Sequence, residues 1–221
     1  MDGVFELGLG FVNLHLVLTD DGVVLVDTGL PRRAARIDRA LQEVKRGIGD
    51  VTTILLTHHH FDHAGNVADL KTRSGARVIA HAADAPVITG AITPIAPTRL
   101  VRVVSRLIGT AAPTKIDQLI TADETSPIPG FTALHTPGHT PGHVSFLLDR
   151  AGGVLFAGDA AGTRRGEVIT GPRAASADPD EQDRSVRKLA THNFTHAVFG
   201  HGRPLTERAA DRLRAYAATL P

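Results

Sequence analysis

The sequence contains no cysteine. That excludes disulfides and thiolate ligation, so any metal must be bound through nitrogen and oxygen. An excess of one charge is missing too: 24 Lys and Arg stand against 23 Asp and Glu, a formal net charge of +1. With no basic field and no stripe of alternating aromatic and basic residues, the chain lacks the electrostatic footprint of a nucleic-acid partner, and neither nucleic acid nor membrane is expected to bind it. Apolar runs such as Val51 to Leu56 are far shorter than the roughly 20 residues that cross a bilayer. Met1 to Gly10 shows no basic region followed by an apolar core and a small-residue cleavage site. No signal peptide is expected, and the expected location is cytoplasmic.

What the chain does have is 221 residues, 42% of them apolar, enough for one domain over residues 1–221 that buries its core without disulfides. Twelve histidines are the compositional excess, and their placement carries the functional reading.

Phe11 to Leu18 and Val23 to Val26 are β-rich runs around Thr19-Asp20-Asp21-Gly22, which predicts a hairpin. Pro31 to Arg46 carries Ile37, Leu41 and Val44 at helical spacing. Thr52 to Leu56 reads as a buried strand, Gly65 to Arg73 as a helix and Ala76 to Ala80 as a strand. The second half repeats the plan. Gly130 to His135, Val144 to Leu148 and Val154 to Ala157 are strands, and Asp178-Pro179-Asp180-Glu181 starts a helix reaching Ala190. His196 to Phe199 is a strand and Thr206 to Thr219 a helix. Strands followed by helices in each half predict an α/β fold, two sheets packed face to face with helices outside. Residues 85–120 differ, being apolar but rich in Pro, Thr and Gly. This insertion is expected to hold short helices or to form a lid, with Val87, Ile88, Ile92, Ile95, Leu100, Val101, Val103, Val104, Leu107 and Ile108 lining an apolar pocket or, equally, serving as packing or a homodimer surface.

The chemistry-bearing residues gather at predicted strand ends. His58-His59-His60-Phe61-Asp62-His63 contains H-x-H-x-D-H after a strand. Histidines two apart at such an end can project to one side, so His58 and His60 can reach one cation. Asp62 and His63 offer oxygen and nitrogen to a neighbouring point. In His135-Thr136-Pro137-Gly138-His139-Thr140-Pro141-Gly142-His143, Pro and Gly stiffen an irregular loop that can preorganise a ligand. Phe156-Ala157-Gly158-Asp159 and Val198-Phe199-Gly200-His201 put a carboxylate and an imidazole at further strand ends.

These four motifs in this order, together with Val26-Asp27-Thr28-Gly29, resemble the metallo-β-lactamase superfamily, in particular its glyoxalase II-like and lactonase-like branches, over about Val23 to Gly202. The resemblance implies a four-layer αβ/βα sandwich of two mixed sheets and two divalent metal ions, zinc first, with manganese or iron as the other candidates. It implies that His58, His60 and His139 hold one metal, that Asp62, His63 and His201 hold the other, and that Asp159 bridges them. Asp27 would support the metal loop through hydrogen bonds to its ligands. His59, His135 and His143 are not expected as ligands, though the last two could support them, and His81 stays outside the site. His15, His192 and His196 are expected to be structural or superficial.

Two such cations would share a water acidified towards neutrality, and the bridging hydroxide would attack an ester, thioester or lactone of a small molecule, with Asp159 or Asp62 orienting or relaying the proton. The chain departs from specialised branches. The commonest β-lactamase subclasses place a cysteine where Asp159 stands, and lactonases of signalling lactones place a tyrosine shortly after it, whereas the one tyrosine here is Tyr216. Gly158-Asp159-Ala160-Ala161-Gly162 also lacks the features that follow this aspartate in hydroxyacylglutathione hydrolases. The alternative reading is a non-haem iron oxidoreductase, similar to persulfide dioxygenases, because a His/Asp donor set suits iron as well.

Overall fold

The computed structural model describes residues 1–93 and 109–221. It resolves into two compact units, residues 3–119 and residues 120–221 with the first two residues.

The first unit opens as a meander. Strands β1 (Val4–Gly8), β2 (Asn13–Thr19) and β3 (Gly22–Val26) pair antiparallel. Helix α1 (Ala34–Glu43) leads to β4 (Val51–Leu55), parallel to β3, and helix α2 (Val67–Ser74) leads to β5 (Arg77–His81), parallel to β4. A short helix α3 (Ala85–Ile88) and strand β6 (Gln118–Ile120) complete a six-stranded mixed sheet ordered β1-β2-β3-β4-β5-β6. Because strand side chains alternate, one face collects Leu14, Leu16, Val23, Leu25, Ile54 and Val78 against Ile37 and Leu41 of α1 and Val67 and Leu70 of α2. Val17, Val24, Val26, Leu55 and Ile79 lie outside this cluster and are buried as well. Burial on both faces accounts for the unbroken apolar runs of β3 and β4.

The second unit shares the general plan of an antiparallel meander followed by a helix and a parallel strand. Strands β7 (Thr125–Ile128), β8 (Phe131–His135), β9 (Val144–Leu148) and β10 (Val154–Phe156) run antiparallel. A hairpin of β11 (Ala161–Arg164) and β12 (Glu167–Thr170) follows, then helix α4 (Pro179–Leu189), strand β13 (His196–Val198) parallel to β10, and helix α5 (Ala209–Ala217). Leu134, Leu155, Val186, Leu189, Phe199 and Leu213 form its core. Helix α4 starts where the sequence predicts: the Asp178 carboxylate accepts from the backbone N–H of Asp180 at 3.1 Å and of Glu181 at 2.9 Å, with Pro179 in the first turn.

Two helices begin three residues later than their patterns suggest, at Ala34 and Ala209. Arg32 and Arg208 stand just before them at φ 62° and 49°, and a left-handed residue cannot continue a right-handed helix. Strands β1, β7, β11 and β12 were not expected, being short and without strong alternation. The 85–120 segment is not an insertion throughout, because its end forms β6 in the sheet. The chain is stitched back before it by Thr114 N–H to Ile88 O at 3.0 Å and Asp117 N–H to Val78 O at 2.8 Å. Burial pushes the Asp117 carboxyl up, but the Lys71 ammonium and the Val78 N–H together hold it below the usual aspartate range. Of the apolar residues assigned to a lid, Val87 and Ile88 belong to α3 and Ile92 is 56% exposed. Ile95, Leu100, Val101, Val103, Val104, Leu107 and Ile108 lie outside the described residues. Among the described residues, no helix is long and apolar enough to cross a membrane.

Candidate metal centre

In the first unit, β3 and β4 are parallel neighbours, so the segments leaving their carboxyl ends meet. Asp27 N–H continues the ladder to Leu55 O at 2.9 Å, after which Asp27 turns at φ 64°. Its carboxylate, 3% exposed, accepts from Thr57 N–H, the Thr57 hydroxyl and His63 Nδ1, each at 2.8 Å. The role expected for Asp27 is thus met by two residues of the histidine loop. Asn66 adds a second clamp, donating to Thr28 O and Leu30 O at 2.6 Å while accepting from Arg33 N–H at 3.1 Å.

This scaffold brings His58, His60 and His63 together, with ring centroids 4.7 Å apart for His58 and His60 and 4.1 Å for His58 and His63. Ligand-capable atoms of Asp62 and His63 lie within 4.8 Å of each other. The intervening His59 is held elsewhere: its N–H donates to the buried Asp84 carboxylate at 3.0 Å, and its Nδ1 lies 2.9 Å from the same oxygen. His81 accepts from Ala83 N–H through Nδ1 at 3.2 Å, a turn-stabilising role.

In the second unit, the parallel pair β10 and β13 does the same work. Ala157 N–H bonds Val198 O at 2.9 Å and Gly200 N–H bonds Gly158 O at 3.0 Å, which carries Asp159 and His201 past the sheet edge together. Asp159 Oδ2 lies 3.3 Å from His139 Nε2 and 3.2 Å from His201 Nε2. Donor atoms about 2.0–2.1 Å from a tetrahedral zinc sit about 3.3 Å from one another, so this spacing matches an edge of a coordination shell. A bare imidazole lone pair facing a carboxylate is repulsive, so each contact calls for a cation, proton or metal, on the nitrogen.

The backbone of Asp159 is held from both sides. His143 Nε2 accepts its N–H at 2.9 Å, and Gln182 Nε2–H donates to its carbonyl at 2.7 Å. His143, fully buried, is a support and not a ligand, since its Nδ1 faces Thr136 Oγ at 2.8 Å. His135, offered above as a second support, instead has Nε2 3.0 Å from Pro141 O. Gly138 sits at φ 123°, and a Cβ there would lie 2.2 Å from Gln182 N. Gly138→Ala is therefore expected to cost roughly 2–4 kcal/mol through backbone strain and overpacking combined, read as a lower thermal midpoint; a midpoint within one degree of wild type would refute this packing argument.

The donor chemistry fits divalent metal. His63 Nδ1 faces a carboxylate, His58 Nδ1 faces Thr57 Oγ at 3.0 Å, and His139 Nδ1 faces Ser176 Oγ at 3.2 Å. An imidazole whose Nδ1–H is taken by an oxygen presents the Nε2 lone pair, which is the arrangement of metal-binding histidines. Thr57, Asn66, Asp84, Ser176 and Gln182 were not anticipated; only an N-terminal helix position and ordinary polar residues mark them in the sequence.

Residues 7–201 match the family model described as metallo-beta-lactamase superfamily. The chain is 29% identical over 229 residues to the Bacillus subtilis protein named probable metallo-hydrolase YflN, covering 92% of this chain and 85% of that one. It is 30% identical over 185 residues to a Bradyrhizobium hydroxyacylglutathione hydrolase, covering 77% of this chain and 64% of the relative. Among solved structures, BJP-1, a subclass B3 metallo-beta-lactamase of Bradyrhizobium japonicum, superposes with a TM-score of 0.77 over 100% of this chain and 88% of that one at 22% identity, a likeness of fold. The α/β class with two mixed sheets and helices is the one the sequence predicts, and the chain belongs to the metallo-beta-lactamase superfamily.

Proposed function

We propose that the two units form one catalytic domain, and that His58, His60, Asp62 and His63 of the first unit and His139, Asp159 and His201 of the second hold two divalent cations, zinc first among them, in a hydrolase of small molecules. The observation that carries this reading is the engagement of Nδ1 by oxygen on His58, His63 and His139, which commits these rings to present Nε2. When bound, two such cations supply Lewis acidity and bring a water to ionise near neutral pH.

The chain's own groups do the rest. Asp159 has its backbone held through its N–H by His143 and through its carbonyl by Gln182, and its carboxylate would be the group that orients the attacking water and moves a proton to the leaving group. Asp62, 9% exposed, stands as the second carboxylate able to orient the water or take its proton. No side-chain nucleophile is needed, and the bond proposed for attack is an acyl one: ester, thioester or lactone. The relative named hydroxyacylglutathione hydrolase supports a thioester within that class.

The test is hydrolysis of an ester, thioester, lactone, phosphodiester and β-lactam panel by metal-quantified protein, before and after chelation. Acyl-bond hydrolysis that disappears on chelation and returns with zinc or manganese is expected. Full activity in metal-free protein would refute the mechanism. Iron content with oxygen uptake on a persulfide, and no hydrolysis, would replace it with the oxidoreductase reading.

A further inference from the structure

We propose that Ser176 and Gln182 are positioning residues that fix the tautomer of His139 through a one-way chain of hydrogen bonds; the inference rests on the reading of His139 as a metal ligand. The chain begins at the Asp159 carbonyl oxygen, which can only accept. Gln182, fully buried on α4, lies 2.7 Å from it through Nε2, so the amide must point its NH2 there and its Oε1 the other way. Oε1 lies 2.6 Å from Ser176 Oγ and again can only accept, so it takes the serine hydroxyl proton. Among the described residues Ser176 has one other acceptor in reach, Pro172 O at 3.0 Å, and that too is acceptor-only. With its proton so committed, Ser176 Oγ can only accept from His139 Nδ1 at 3.2 Å. His139 Nδ1 is thereby fixed as a donor, and Nε2, directed at Asp159 Oδ2 3.3 Å away, is the nitrogen left to meet a proton or a metal.

The backbone locks the same parts together. Ala177 N–H donates to His139 O at 3.1 Å and Asp178 N–H to Gly138 O at 2.8 Å, so the segment that presents Ser176 is clipped to the ligand loop. The first unit contains the same device with a carboxylate in place of the amide. The Thr57 hydroxyl gives its proton to Asp27 Oδ2 and therefore accepts from His58 Nδ1. Two histidines on separate loops are oriented by a hydroxyl whose proton is already spent. Gln182 also ties this control to Asp159, so the imidazole and the carboxylate are positioned by one side chain.

The experiment uses the full chain, with zinc affinity measured against a chromophoric chelator, side-chain nitrogen NMR of the metal-free protein, and thermal midpoints as a folding control. In metal-free wild type, the His139 Nδ1 nitrogen should give the signal of a proton-bearing donor. Ser176→Ala is expected to mix the tautomers towards Nε2–H and to weaken zinc binding by about 10- to 100-fold. Ser176→Thr should restore both, and Gln182→Met should weaken binding less in the Ser176→Ala background than in wild type. Wild-type affinity and an unchanged Nδ1 signal in Ser176→Ala would overturn the proposal, as would equal losses in the alanine and threonine variants. If wild type binds no divalent ion, the hydrolase reading falls, while the Nδ1 signal of metal-free wild type and Ser176→Ala still decides the positioning claim.

Discussion

Asp27→Ala is expected to lower the unfolding free energy by about 3–5 kcal/mol, the scale for removing one member of a buried charged network. Three donors converge on this carboxylate: Thr57 N–H, the Thr57 hydroxyl and His63 Nδ1. Alanine would leave them in a region closed to water and place a non-glycine Cβ residue at φ 64° with no side-chain oxygen to favour that turn. For a chain of 221 residues a loss of this size corresponds to a thermal midpoint about 10 °C lower. Asp27→Asn separates stability from chemistry. Asparagine tolerates the left-handed turn and can still accept from Thr57 N–H, but its NH2 meets the hydroxyl and imidazole donors now served by Oδ2. The asparagine variant should keep much of the stability and lose metal affinity, because His63 is then pressed towards the other tautomer. Denaturant unfolding of metal-free protein together with chelator competition measures both. A loss below 1 kcal/mol for the alanine variant would mean that the carboxylate does not organise this loop.

Removal of Asp159 is expected to have the larger effect on turnover, a fall on the order of 10²-fold or more, the scale of a positioned proton-transfer group. Its carboxylate faces two imidazole nitrogens at 3.2 and 3.3 Å, so Asp159→Ala should also bind less metal. Wild type should gain thermal stability on adding zinc, as any ligand that prefers the folded state confers. In Asp159→Ala that gain should shrink, while His143 and Gln182, which contact the Asp159 backbone, still hold the loop. An unchanged zinc-dependent gain would place the bound metal away from Asp159.

Much of this was legible one segment at a time. The hairpin of β2 and β3 followed from β-rich runs around a turn sequence, and α4 followed from Asp178 and Pro179, because strand alternation and helix capping act over a few residues. The late starts of α1 and α5 were not legible: Arg32 and Arg208 adopt positive φ, which arginine does not advertise. Short strands such as β7 and β11 escaped because three or four residues carry too little pattern, and their pairing partners make them strands.

The site divides in the same way. Metal-ligand chemistry needs particular atoms, so His58, His60, Asp62, His63, His139, Asp159 and His201 stood out by residue type and by their place after predicted strands. Their supports did not, because serine, threonine, asparagine and glutamine occur everywhere and act here only through partners distant in the chain. The amino-acid order by itself determined the strand and helix plan, the family and the candidate donors, since each is written in short-range pattern and side-chain chemistry. Tertiary structure decided that His143 supports Asp159 through its backbone, that His59 turns to Asp84, and that Gln182 and Ser176 orient His139. Those are hydrogen bonds between remote segments, and their direction is set by which atoms the packed fold brings within 3 Å or so of one another.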